Sequence, residues 1–213
     1  MQCQAIKTAV CFLILTAMLL SHKGWANEWK LEKQKNNVSI YSKPTDSGYK
    51  KILVKTTVDT DPHALVLLLD DVTFSSQWIH NCLEVKILEE VSPTKRLVNT
   101  FFSAPWPVKD RDMVTLSNTT VYDNSVQIEI TDRGNSIAHH PDYVRMQNMH
   151  GLWKAKQLES GKSEITYTGG GSPGGNLPTF IANKELISSM FQTFQNLNKV
   201  ILLNKYQPVK ITN

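Results

Sequence analysis

Four groups of residues in this chain have types and spacings that could carry chemistry. Gly170-Gly171-Ser172-Pro173-Gly174 matches G-x-S-x-G, the turn that raises a nucleophilic serine above a hydrolase sheet. In that turn the residue after the serine gives its backbone N–H to the oxyanion hole, and Pro173 has none to give. A phosphate cradle fails as well, because no Lys-Ser/Thr pair follows the glycines. His139, His140, Asp142 and His150 are metal ligands by type. None of them forms an i, i+4 helical pair, and His139-His140-Pro141 reads as a loop before a strand. Cys82 stands two residues after His80, so a nucleophile and a base could share a strand face, but nothing nearby orients the imidazole. The expectation is therefore a chain with no metal, no cofactor and no catalytic residue. Cys82 is expected to be a small buried hydrophobe near Trp78.

Composition narrows the class further. At 213 residues, 41% hydrophobic and 20% charged, the chain suits one globular domain with a sizeable core. Residues 1–26 read as a signal peptide: Lys7, an apolar run from Ala9 to Leu20, then Gly24-Trp25-Ala26 with small residues where a signal peptidase cuts. The run is shorter than the roughly 20 apolar residues that span a bilayer. Residues 27–213 are then the mature domain, exported to the periplasm or the extracellular space. Losing Lys7 and Lys23 takes the 23 basic residues to 21 against 19 acidic ones, a net charge of +2. That is too near neutral for a nucleic-acid partner. Cleavage also removes Cys3 and Cys11, so Cys82 remains alone and the core must hold the domain without a disulfide. A monomer is expected.

The elements follow from periodicity. Trp29 to Asn37 reads as a short helix, and 38–41 and 52–58 as half-buried strands around the turn Pro44-Thr45-Asp46-Ser47-Gly48. Asp61-Pro62 opens a buried helix through Leu69, and a second short one includes Phe74 to Trp78. A meander follows over about 84–90, 96–102, 113–122, 126–131, 143–158 and 164–168, joined by hairpin-length turns. A long helix, from about 177 to 204, closes the chain. Its stripe of Leu186, Met190, Phe194, Leu197 and Ile201 is widened by Ile187, Phe191 and Val200, with Lys184, Ser188, Gln192, Gln195, Asn196 and Lys199 on the other side. This order is α+β, that of a helix-grip fold: a curved antiparallel sheet around a long C-terminal helix.

One stretch has no local structural reason. In Pro105-Trp106-Pro107-Val108-Lys109-Asp110-Arg111-Asp112 two prolines hold a tryptophan on a stiff corner, and charges follow before Met113-Val114-Thr115-Leu116 resumes strand alternation. The segment resembles the PWPxxDRD signature of START domains, the StAR-related lipid-transfer family. Other landmarks fall in that family's order: Asp70, Trp78 and Asn81-Cys82, then Val144-Arg145-Met146, then Pro173-Gly174-Gly175-Asn176-Leu177-Pro178 before the last helix. The resemblance spans roughly Trp29 to Tyr206 and implies the same helix-grip (Bet v 1-like) architecture. It also implies non-catalytic binding of a lipid or other amphiphile in an internal hydrophobic tunnel, with transfer through brief membrane contact.

On that basis Asn99, Phe101, Arg111, Arg145 and Tyr167, with Leu186, Met190, Phe191, Phe194 and Leu197 of the helix, are the expected ligand-binding residues. For Arg111 and Arg145 two roles stay open: a structural ion pair, with Asp112 or Asp132 among the available acids, or a cation for a lipid's polar group. The acid–arginine pair of sterol-carrying members falls near Asn99 and Ser117, both small and neutral, which argues against a sterol. An enzyme of cyclase, hydrolase or isomerase type in the same cavity is the alternative, with Asp112, Asp132, Tyr167 and His150 as its raw material. A protein-docking module using the Pro-Trp-Pro corner is the third.

Overall fold

The computed structural model describes residues 28–207; the expected signal segment, 1–26, lies outside them. Where a short helix was expected after Trp29, the chain forms strand β1 (Lys30–Lys35), which pairs with β2 (Val38–Pro44). The reason is the two-residue connection Asn36-Asn37. Both residues have positive φ, 50° and 64°, the backbone that a tight hairpin turn requires and that asparagine tolerates.

From there the order follows expectation: β3 (Lys50–Val58), α1 (Ala64–Asp70), a 3-10 turn (Val72–Gln77), then β4 (Cys82–Ser92), β5 (Lys95–Phe102), β6 (Arg111–Tyr122) and β7 (Ser125–Asp132). The expected long strand over 143–158 is divided. Val144–Arg145 (β8) pairs in parallel with β6, and Gln147–Gln157 (β9) is a separate run with an irregular start at Asn148, where φ is +54°. β10 (Ser163–Ser172) and α2 (Thr179–Val200) complete the fold. The sheet runs β1-β2-β3-β10-β9-β7-β6-β5-β4, antiparallel along its whole length.

Helix α2 crosses this sheet and is gripped from both sides. On one side Asn183 accepts the Lys50 N–H at 2.8 Å, and Thr56 Oγ1 donates to Asn198 at 3.0 Å. On the other, the His80 N–H donates to Thr193 Oγ1 at 3.0 Å and Asn196 Nδ2 donates to the Trp78 carbonyl at 3.2 Å. Part of the helix's polar side is thus used against residues 78–80 instead of solvent. The core lies under the C-terminal half of α2: Phe194, Leu197 and Ile201 have no exposed surface, nor do Val38, Ile40, Ile52 and Val54 of β2 and β3.

The last turn, Asn204–Tyr206, is fastened to the start of the 3-10 turn through one carboxylate. Lys205 Nζ and the Tyr206 hydroxyl donate to Asp71 Oδ2 at 2.7 and 2.8 Å, and Thr73 donates to Oδ1 at 2.8 Å. Those donors, Lys205 first, hold the Asp71 carboxyl down at about 2, against an ordinary 3.8. A carboxylate depressed in the folded state adds stability above its unfolded pKa and loses it as pH falls through the folded value. Asp71→Asn is therefore expected to melt below wild type at neutral pH. The gap should close as pH falls from about 4 to about 2; circular-dichroism melts that keep the full gap at the acid end would refute this.

Candidate functional site

Which way each strand residue points is fixed by one contact. Trp153 of β9 stacks on Phe194 of α2, ring centroids 5.4 Å apart and planes within 8°, so Trp153 marks the helix-facing side of the sheet. Carried through the register, Tyr167 lies opposite Trp153 on β10 and Ile128 opposite it on β7, and Thr119, Ser117 and Thr115 follow on β6. Thr115 lies opposite Val98, Met113 opposite Thr100, and Arg111 opposite Phe102.

The expected ligand-binding residues are divided by this register into three groups. Arg111 and Tyr167 lie on the helix-facing side of the sheet, and Leu186 and Met190 belong to the stripe of α2; all four are half-buried. Phe191, Phe194 and Leu197 are packed in the core, Phe194 and Leu197 without exposed surface, so the lower part of the stripe is structural packing instead of tunnel wall.

Asn99, Phe101 and Arg145 point away from the helix. Asn99 and Phe101 occupy the opposite parity of β5, and Phe101 meets the Tyr143 ring at 4.9 Å beneath the segment 133–146 that covers this side. Arg145 forms the ion pair with Asp112. Its Nε donates to both carboxylate oxygens at 2.9 and 2.8 Å, and Nη2 lies 2.7 Å from Oδ2. Its remaining donors reach the Gly134 and Ala138 carbonyls, and both side chains are almost fully buried, at 2% and 1% exposure. The structural role is the one realised for Arg145. Asp132, the other acid considered, accepts the Gly134 and Met149 N–H groups instead. Asn99 and Ser117 lie on opposite sides of the sheet and cannot form a facing pair.

The sheet face under the N-terminal half of α2 is distinctive. On the helix side of β5 and β6 the small Thr100 and Thr115 are buried, but the larger apolar Val98, Phe102 and Met113 are only half-buried. On β2 and β3, where the helix lies closest, the helix-side apolar residues are fully buried instead. A central sheet face with accessible apolar side chains beneath a helix is a face the helix does not fill. Ile130, Met149 and Ile187 extend it. Sequence alternation could not single these residues out, because β5 is apolar on both sides.

Two polar side chains stand on this face. Tyr167 leans over Gly151 and Gly169; a Cβ at Gly151 would sit 2.8 Å from its hydroxyl, and one at Gly169 would collide with it. Burial pushes this phenol up to about 12, and its hydroxyl has no hydrogen-bond partner among the described residues, although the residue keeps accessible surface. Arg111 stands at the loop end of β6, where its Nη1 donates to the Lys109 carbonyl. Burial pulls its guanidinium below the usual value, neighbouring Asp110 opposes that shift, and no carboxylate pairs with it among the described residues. Cys82 is buried, and that burial pushes its thiol up to about 11, away from a thiolate. His139, His140 and His150 are exposed, and His150 lies on the outer side of β9.

The sharp turn into α2 closes one end. Gly174 (φ +70°) packs so close to β8 that a Cβ would meet the Arg145 carbonyl and lie 3.0 Å from Val144 Cγ1. On the other flank of β8 the Val144 N–H donates to the Asp110 carbonyl at 2.9 Å. The Pro-Trp-Pro corner and the start of α2 therefore lie at the same end, where Trp106 is 92% and Phe180 72% exposed.

A family model for the START domain matches residues 11–206, and the chain belongs to that family. It is 29% identical over 174 residues to PA1579, an uncharacterized protein of Pseudomonas aeruginosa, with 81% of this chain and 86% of that protein covered. A STAR-related lipid transfer protein from Xanthomonas axonopodis superposes with a TM-score of 0.74 at 20% identity, covering 81% of this chain and 98% of that one. Human STARD10 gives 0.73 at 19% identity, covering 85% and 77% respectively. At these identities the solved structures carry the fold alone.

Proposed function

We propose that the protein binds a lipid or other amphiphile between α2 and the inner faces of β5, β6, β9 and β10, and passes it to or from a membrane without chemical change. The observation that carries this reading is the half-accessible apolar face beside the unpartnered Tyr167 hydroxyl. An acyl chain or ring would lie against Val98, Met113, Leu186 and Met190, each buried CH₂ contributing about 0.8 kcal/mol relative to water. Tyr167 and Arg111 would meet the polar group, since a buried hydroxyl or guanidinium gains by finding an acceptor. Contact with the bilayer would be made by the Trp106 and Phe180 end, with Lys184 beside it. The groups an enzyme would need are dispersed: Asp112 is locked to Arg145 on the outer side, His150 is outside, and Asp132 is occupied by two N–H donors. That dispersal supports binding over catalysis. Export is part of the proposal and rests on the segment 1–26.

Native mass spectrometry of the protein purified without detergent from its own cell tests the reading. The expected spectrum shows a chain cut after Ala26 carrying a defined lipid near one-to-one, and a lower bound fraction in Tyr167→Phe with an unchanged melting temperature. A bare mass in protein kept from detergent would count against a carrier, and an uncut chain against export.

A further inference from the structure

A second concave surface lies on the opposite side of the sheet. It is a cleft of about 490 Å³ over β3, β10, β9 and β7, within the size range of small-ligand sites. The strand register arranges it in three rows. Lys55, Thr166 and Lys154 form one, and Leu53, Thr168 and Leu152 the middle one. In the third, Gly170 lies against Lys51 and His150, where its missing side chain leaves the floor low. Alternate residues along a strand are about 6.7 Å apart and neighbouring strands about 4.8 Å apart. Three lysines and a histidine therefore stand at the corners of a rectangle of roughly 13 by 10 Å, with Leu53 and Leu152 midway along its two long sides and Thr168 between them.

The lysines are unspent. Elsewhere Lys50, Lys86 and Lys205 have carboxylates within 3 Å, but Lys51, Lys55 and Lys154 have no ion pair among the described residues. Glu129, on β7 beside Leu152, is the single acid in the lining. Leu53 and Leu152 are half-buried and shorter than the lysines around them, so a flat bilayer would meet the lysines first. All four strands are interior to the sheet, and their backbone groups are already paired, so an extended peptide would find no edge to extend.

The geometry points to a binding site for a compact organic anion: a flat apolar body seated on Leu53 and Leu152, with carboxylate, sulfonate or phosphate groups reaching the lysines at either end. This site is separate from the lipid compartment and faces the other way.

Naphthalene-2,6-dicarboxylate is a suitable probe, since its two charges disfavour the apolar compartment. Titrated into ¹⁵N-labelled protein, it should shift amides of β3, β9 and β10 saturably. Lys55→Glu/Lys154→Glu should weaken binding roughly tenfold or more, two attractive contacts having become repulsive, with lipid occupancy unchanged. Should that variant not fold, Lys55→Gln/Lys154→Gln should still weaken it several-fold. Three results would overturn the assignment. The first is non-saturable shifts, or an affinity indifferent to both variants. The second is equal binding of inorganic phosphate, which would leave the leucines without a role. The third is recruitment to phosphatidylglycerol vesicles that the double variant abolishes, which would make this a membrane face.

Discussion

Replacing Asp112 by alanine is expected to cost about 3–5 kcal/mol in urea denaturation, a large share of a domain's usual stability. The ion pair it breaks is almost fully buried, and Arg145 would keep only the Gly134 and Ala138 carbonyls for its charge. A guanidinium stranded in low dielectric is far more harmful than the intact pair is helpful. The same reasoning makes Asp112→Leu/Arg145→Met much less damaging than either single change, because no charge is left unpaired. The double variant also tests the structural role of Arg145 in solution. As a structural tie on the far side of the sheet it can be removed with lipid uptake intact; lost uptake in a folded double variant would return Arg145 to the ligand. A loss below about 1 kcal/mol for Asp112→Ala would show that the pair is solvated after all.

The placement of Arg145 shows where sequence reading stops. The PWPxxDRD stretch, the glycine turn and the periodicity of α2 carried the architecture, since each is a local pattern with a local cause. Facing could not be read the same way. Alternation identifies a buried side only when the other side is polar, and β5 from Leu97 to Phe102 is apolar on both: Val98 and Phe102 on the helix side, Leu97 and Phe101 on the side where Tyr143 covers Phe101. Asn99 and Phe101 were thus as plausible inside as Val98 and Phe102. The first strand was missed for a different reason. Lys30 to Lys35 is an edge, exposed nearly throughout, and its charged residues give no apolar alternation. The signal that remained was Asn36-Asn37, a turn that specifies a hairpin through its backbone alone. In α2 a single stripe serves two purposes, and periodicity cannot mark where packing ends and lining begins. That boundary depends on how near β2 and β3 approach.

Two substitutions one helical turn apart should therefore behave differently. Phe194 is fully buried, stacked on Trp153, which in turn meets Trp78 edge-on at 6.4 Å. Phe194→Ala should cost about 3–5 kcal/mol through lost contact and the cavity left behind. Phe194→Asp should abolish folding, because a carboxylate there has no donor and no water. Met190 lies four residues earlier on the same stripe and packs against the margin of the core, but it is only half-buried. Met190→Asp can keep its charge hydrated through that accessible surface and should cost far less stability than Phe194→Asp. Lipid occupancy, read by native mass spectrometry, should nevertheless fall strongly, since a charge now stands where an acyl chain would lie. The pair of outcomes tests the division of the helix directly. A folded Phe194→Asp protein with lost occupancy would put the ligand deep under the C-terminal half of α2. Unchanged occupancy in a folded Met190→Asp would remove the ligand from the N-terminal half, and with it the site built around Tyr167.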